Sequence, residues 1–166
     1  LFISIHNNTA VNRSVGGPST FFFDERPYGA RNARLARIVQ EEMVEGLTEA
    51  VGGEWSPYDH GALVYPYYLL RGYDPPRLRR PTQMPAVLSE GMFLSNPREL
   101  TLLRQPAIRG AMAAAYYQAV AKYLARRGEH IGYELEAGPA EAVSYHYGIR
   151  VRQDGKDVLT KAIKGG

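Results

Sequence analysis

The sequence predicts an α/β fold: a twisted, mostly parallel sheet flanked by helices, with a small β-rich extension at the carboxyl end. Three observations carry that prediction. Short apolar runs of strand formers at 1–5, 20–23 and 85–88 alternate with longer segments. The longest of those segments show helical spacing and stand where crossovers between parallel strands belong. After Gly128 the pattern changes to short alternating stretches with an Asp-Gly turn signal.

Residues 1–5, LFISI, are apolar apart from Ser4, which predicts a strand covered on both faces. Residues 7–19 are polar and glycine-bearing, a loop, and TFFF at 20–23 predicts a short aromatic strand. Between 32 and 51, Leu35, Ile38, Val39, Met43, Val44 and Leu47 recur at helical spacing, and Gly52-Gly53 ends that helix. Residues 54–81 read as loop, with five prolines and a cluster of tyrosines (Tyr58, Tyr65, Tyr67, Tyr68, Tyr73). A second buried strand at 85–88 is predicted to end at Glu90. In SNPREL, Ser95 or Asn96 can cap a helix, Pro97 suits its first turn, and Glu99 is favoured at its positive end. Residues 106–125 carry Ile108, Met112, Tyr116, Val120 and Leu124 on one helical stripe, closed by Gly128.

Beyond that glycine, 132–138 and 142–152 alternate as strands do, and RQDGKD holds a hairpin signal. The domain organisation expected is therefore 1–128 as one domain and 129–166 as a β-rich extension or the start of another module. A chain of 166 residues is long enough to bury a core. A buried strand beginning at Leu1, with nothing leading into it, predicts the C-terminal part of a longer protein, any targeting segment lying upstream.

Hydrophobic residues at 45% and charged residues at 22% are ordinary for a globular protein. No apolar run approaches the roughly 18 residues of a membrane span. With no cysteine, disulfides and thiolate metal sites are excluded. The net charge of +3 is concentrated in part at 71–81, with Arg71, Arg77, Arg79 and Arg80, either a solvated loop or a footprint for an acidic polymer. There is no basic-aromatic interleaving or helix-turn-helix pattern, so nucleic acid is not an expected partner.

Two residues stand where a site in an α/β sheet is expected, just past the carboxyl ends of buried strands. His6 is either a hydrogen-bonded structural histidine or a directional nitrogen ligand for zinc. Glu90 interrupts the apolar PAVLSEGMF and precedes Gly91. A buried carboxylate needs a partner, so Glu90 is either paired with an arginine or a general base or acid with a perturbed pKa. His60 reads as a solvated loop histidine, and His60, His130 and His146 have no ligand spacing. HExxH, GxSxG and phosphate-loop motifs are absent, and Ser4, Ser89 and Ser95 have no nucleophile signature.

FISIHNN (2–8) together with MPAVLSEGMFLSNPREL (84–100) resembles the zinc-dependent N-acetylmuramoyl-L-alanine amidases of the amidase-3 type, whose strings are close to FISIHAN and MPAVLVELGFLSNPEE. LARIVQEEM (35–43) and the helix from Pro106 resemble the family's intervening and closing helices, so the resemblance covers about 1–126. It implies a zinc cofactor, a twisted mostly parallel sheet, and hydrolysis of the amide between N-acetylmuramic acid and L-alanine in peptidoglycan. It also implies a cell-envelope location, periplasmic or extracellular. By position, His6 matches the last of the family's zinc ligands and Glu90 its catalytic glutamate. The family's other His and Glu ligands are expected before Leu1, and one imidazole does not complete a catalytic zinc site. The competing expectations are a non-catalytic wall-binding or regulatory module that keeps the fold, and a zinc carboxypeptidase-like hydrolase.

Overall fold

The computed structural model describes residues 1–25, 28–53, 55, 57–71 and 82–125, and the backbone of 131–137, 146–153 and 156–164. It divides into two compact units, Leu1–Tyr123 and Leu124–Gly166.

In the first unit, β-branched and aromatic residues build β1 (Phe2–Asn8) and β2 (Ser19–Phe22). The helix α1 (Gly29–Val51) follows, its C-cap Gly52 in the left-handed region at φ 61°. Then come β3 (Ala62–Val64), the short α2 (Tyr68–Arg71) and β4 (Ala86–Phe93). The helices α3 (Pro97–Leu103) and α4 (Pro106–Ala125) complete the series. Asn96 is the cap of α3: its side chain accepts from the backbone N–H groups of Arg98 and Glu99.

The strands form one sheet in the order β1-β4-β2-β3. The β1–β4 and β2–β3 pairs are parallel and the β2–β4 pair is antiparallel, so the sheet is mostly parallel, as expected. On one face lie α1 and α4. Thr20 Oγ1 donates to Gln40 Oε1 of α1 at 2.9 Å, and Tyr116 of α4 donates to Ser89 Oγ at 3.1 Å. The opposite face carries Ala86 and Leu88, covered by Leu70 of α2 with Phe21, Phe23, Tyr67 and Leu69 packed around them.

Two expectations change. The second buried strand does not end at Glu90 but runs through Phe93, because β1 pairs with it along its whole length, across an irregularity between His6 and Asn8. Nor is β1 covered on both faces among the described residues: it is an edge strand, with Phe2 39% and Ile5 59% exposed.

The second unit is an antiparallel sheet ordered β5 (Ile131–Ala137), β6 (His146–Gln153), β7 (Lys156–Lys164). Gln153 pairs with Lys156, as the hairpin signal predicts; the Asp154-Gly155 turn itself lies outside the described residues. Gly128, expected to close α4, and His130 lie outside them too, as do Arg77, Arg79 and Arg80 of the basic stretch.

Asn32 ties the layers together. Its amide donates to the Phe23 carbonyl at 2.8 Å and its oxygen accepts from the buried Ala86 N–H at 3.0 Å. Helix α1 thereby sets both the end of β2 and the start of β4. Asn32→Ala would leave the Ala86 N–H without an acceptor, a loss of about 1–3 kcal/mol. Urea unfolding of the variant is expected to show a lowered midpoint with an unchanged slope.

Candidate active site

Register alone places the central residues. His6 pairs with Glu90 across β1–β4, and Glu90 pairs with Ser19 across β2–β4. Side chains of paired residues share a face, so His6, Glu90 and Ser19 form a row across three strands. Ser4, Leu88 and Phe21 form the next row on that face. His6 and Glu90 thus lie within their strands, near the carboxyl ends, rather than just past them. The β4 backbone keeps pairing beyond Glu90, and this carries both residues inside the ladder.

The histidine is exposed, with Ser4 Oγ 2.7 Å from its Nε2, two residues back on the same strand. Glu90 is half-buried. Its carboxyl is pushed above the usual carboxylate range by burial, and the positive charge of His6 opposes that shift. Glu90 Oε2 is buried with no hydrogen-bond partner among the described residues. Ser19, 3% exposed, has a hydroxyl that is likewise buried and unpartnered.

Around the row stand aromatic groups. Tyr67 packs edge-on to Phe21 at 5.3 Å and lies 4.5 Å from the ring of Tyr65, which is half exposed. Its hydroxyl pKa is raised by burial first and then by the negative charges of Glu90 and Tyr65. On the helix side, Tyr116 is raised mainly by burial, with its bond to Ser89 lowering it and Glu90 raising it. Tyrosines thus feel the Glu90 charge from both sides of the sheet.

The loop 9–18 closes over the carboxyl end of β4 through Glu99. Its two carboxylate oxygens accept from the Gly17 and Phe93 backbone N–H groups, each at 2.7 Å. Gly17 sits at φ +98° with the Tyr58 carbonyl where a Cβ would be, so only glycine fits. His60, expected to be solvated, is instead partly buried between Tyr58 and Phe93, with Nε2 3.0 Å from the Gly16 carbonyl oxygen. That contact gives the partly buried Gly16 carbonyl a partner.

A zinc ion can be tested against these residues. His6 and Glu90 are register partners on neighbouring strands, with their side chains on one face. Among the described residues, however, no group of three His, Cys, Asp or Glu converges as a metal needs. The residues fit one side of a zinc site and do not complete it. A groove of about 620 Å³ lies elsewhere, between α1 and α4, lined by Glu45, Gly46, Glu49, Ala111 and Ala114. It is on the helical side of the sheet, away from the His6–Glu90–Ser19 row, and belongs to a different part of the surface.

Sequence reasoning singled out His6 and Glu90, which the register pairs, but not Ser19 in the same row or the bonds of Glu99 to Gly17 and Phe93. Ser19 is in phase with Phe21 in the STFF strand, a signal only once the β2–β4 pairing is known.

The profile of the N-acetylmuramoyl-L-alanine amidase family, Amidase_3, matches residues 1–122. The chain is 26% identical over 129 residues to a germination-specific N-acetylmuramoyl-L-alanine amidase of Bacillus subtilis, covering 78% of this chain and 46% of that protein. The CwlD amidase of Clostridioides difficile, solved in complex with the GerS lipoprotein, superposes with a TM-score of 0.58 at 25% identity, covering 75% of this chain and 54% of that one. AmiC2 of Nostoc punctiforme gives 0.58 at 23% identity, covering 75% and 58%, a likeness of fold. The chain therefore spans about half the length of these relatives.

Burial raises the Glu99 carboxyl above 4.5, against the two backbone bonds and His60, which lower it. The folded state then holds the proton more tightly than the unfolded state. The stabilising contribution of Glu99 is thus full at low pH and declines as pH rises from about 4.5 through the raised value. The stability gap between wild type and E99Q is expected to narrow over that rise in denaturation at a series of pH values; a widening gap would show the backbone bonds outweighing burial.

Proposed function

Because the chain belongs to the N-acetylmuramoyl-L-alanine amidase family, we propose that it serves hydrolysis of the amide between the lactyl group of N-acetylmuramic acid and L-alanine in peptidoglycan. The observation that carries this reading is the unpartnered Glu90 carboxylate oxygen beside His6 on one face of the sheet. An ionisable oxygen held without a partner is costly in a purely structural setting and useful where a proton must be taken and returned.

In this reading residues 1–128 are the amidase-like part, and 129–166 an extension or the start of another module. His6 holds one position of a zinc ion, whose remaining protein ligands are not among the described residues. Zinc, when bound, supplies Lewis acidity toward the scissile carbonyl and an activated water. Glu90 takes a proton from the attacking water as the new C–O bond forms at the carbonyl carbon. As the C–N bond breaks, Glu90 returns that proton to the nitrogen of L-alanine, which leaves poorly unless protonated. The apolar neighbours of Glu90, Leu88 and Tyr67, hold its proton affinity up and so suit both halves of the exchange. Hydrolysis of wall polymer places the protein in the cell envelope, periplasmic or extracellular. No described helix is long and apolar enough to cross a membrane.

A second reading, a non-catalytic wall-binding or regulatory module, is favoured by one observation: the described residues alone do not assemble a metal-binding triad. Digestion of purified peptidoglycan by the intact protein separates the two. New amino termini on L-alanine, with no D-alanine released, are expected for the amidase and exclude the carboxypeptidase-like alternative. Glu90→Gln is expected to lower the rate by about 10²–10⁴-fold with the fold unchanged. His6→Ala is expected to remove stoichiometric zinc. Retention of the protein on the wall with no new amino termini would favour the module.

A further inference from the structure

Beyond the paired ends of β1 and β4 the two chains stay together. The Leu94 N–H donates to the Asn8 carbonyl at 2.8 Å, the Ala10 N–H to Ser95 Oγ at 2.9 Å, and Arg13 Nε to the Ser95 carbonyl at 3.3 Å. Asn96 Nδ2 then donates to the Val15 carbonyl at 3.2 Å, and Glu99 accepts from the Gly17 N–H. The loop 9–18 is therefore fastened at every second or third residue to SNPRE (95–99), the segment that also starts α3. A loop anchored in this way on a rigid element presents its tip in a fixed place.

At that tip stands Arg13, the one charged residue between Thr9 and Pro18. Asn12 Oδ1 accepts from the Ser14 N–H at 3.0 Å and from Ser14 Oγ at 2.7 Å. The Asn12 carbonyl accepts from the Val15 N–H at 3.2 Å, so a closed turn carries the arginine. Residues 11–14 are all exposed. A guanidinium has five N–H bonds. One is spent on Ser95; those on the two Nη nitrogens meet no acceptor, and the charge no carboxylate, among the described residues. A guanidinium held by one nitrogen and open at the other two is preorganised for a carboxylate, which it grips with two parallel bonds.

We propose that Arg13 is a specificity-determining residue that binds a carboxylate of the substrate's peptide; the proposal rests on the amidase reading. That peptide begins with L-alanine at the scissile amide and ends on a carboxylate. The position of Arg13 suits such a ligand. It lies beyond the carboxyl ends of two parallel strands, the end of an α/β sheet where ligands bind, and His6 and Glu90 lie near those same ends. Ser95 follows Glu90 by five positions, so their Cα atoms are at most about 17 Å apart. An extended peptide advances about 3.3–3.6 Å per residue, so one of about three to five residues spans that interval. The Glu99 carboxylate does not compete for the guanidinium, since both its oxygens are taken by backbone N–H groups.

The test compares two soluble muramoyl peptides of about four residues on the intact protein, one with its peptide carboxylates free and the other with them amidated. The wild type is expected to favour the free-carboxylate substrate by about three- to tenfold in KM, the preference shrinking as salt is added. Arg13→Ala is expected to erase that preference. Arg13→Lys, which keeps the charge but not the planar fork, is expected to retain part of it. Equal KM values for the two substrates in the wild type overturn the proposal alone, and so does a preference that survives Arg13→Ala. A preference confined to kcat overturns it as well. A wild type that releases no amino termini from either substrate overturns the amidase reading, and this proposal with it.

Discussion

A slip of one residue between β1 and β4 would move His6 to the face opposite Glu90, because side chains alternate along a strand. Register is therefore the constraint on which the site depends. It is fixed from several directions. The Phe2 N–H bonds the Pro85 carbonyl at 2.9 Å at the start of the pair, and the Leu94 N–H bonds the Asn8 carbonyl at 2.8 Å at its end. Asn32 anchors the β4 backbone at Ala86, and Val87, Ser89 and Gly91 are buried on the helix side. Met112 of α4 approaches so near Gly91 that a Cβ there would meet its methyl group at 2.2 Å. Glycine at this position lets α4 seat against the strand next to Glu90.

The sheet is unequal in how it treats polarity. On the helix side, hydroxyls and amides are joined into a chain from Tyr116 to Asp59, and such fully satisfied networks rigidify a core. Glu99 does the same work at the carboxyl end, where one buried carboxylate answers two backbone N–H groups and so joins the loop 9–18 to α3 and β4. On the other face, Glu90 and Ser19 retain unanswered oxygens. Rigidity on one side and unsatisfied groups on the other is the arrangement expected when a site must stay in place while keeping its reactive atoms free.

The same logic explains where the aromatic residues went. Tyr65 and Tyr67 do not float in a solvated loop. They close against Phe21 over the second row of the site face and bring α2 onto Leu88. The same packing raises the Tyr67 hydroxyl pKa, first by burial and then by the Glu90 charge.

Much was legible in the sequence by itself. Period-2 and period-3.6 patterns located the strands and the two long helices, Asn96-Pro97 marked the start of α3, and the motifs around His6 and Glu90 pointed to the family. These are local signals, carried by backbone propensity and by which side chains must leave water. The sequence did not disclose that His6, Glu90 and Ser19 stand in one row, that β1 is an edge strand among the described residues, or that His60 is packed between two rings. It likewise hid the bonding of Glu99 to Gly17, 82 positions away. Those facts depend on strand order and register, which join segments remote in the chain. Nothing in a residue's immediate neighbours specifies its cross-strand partner; packing of the whole sheet between α1, α4 and α2 decides it.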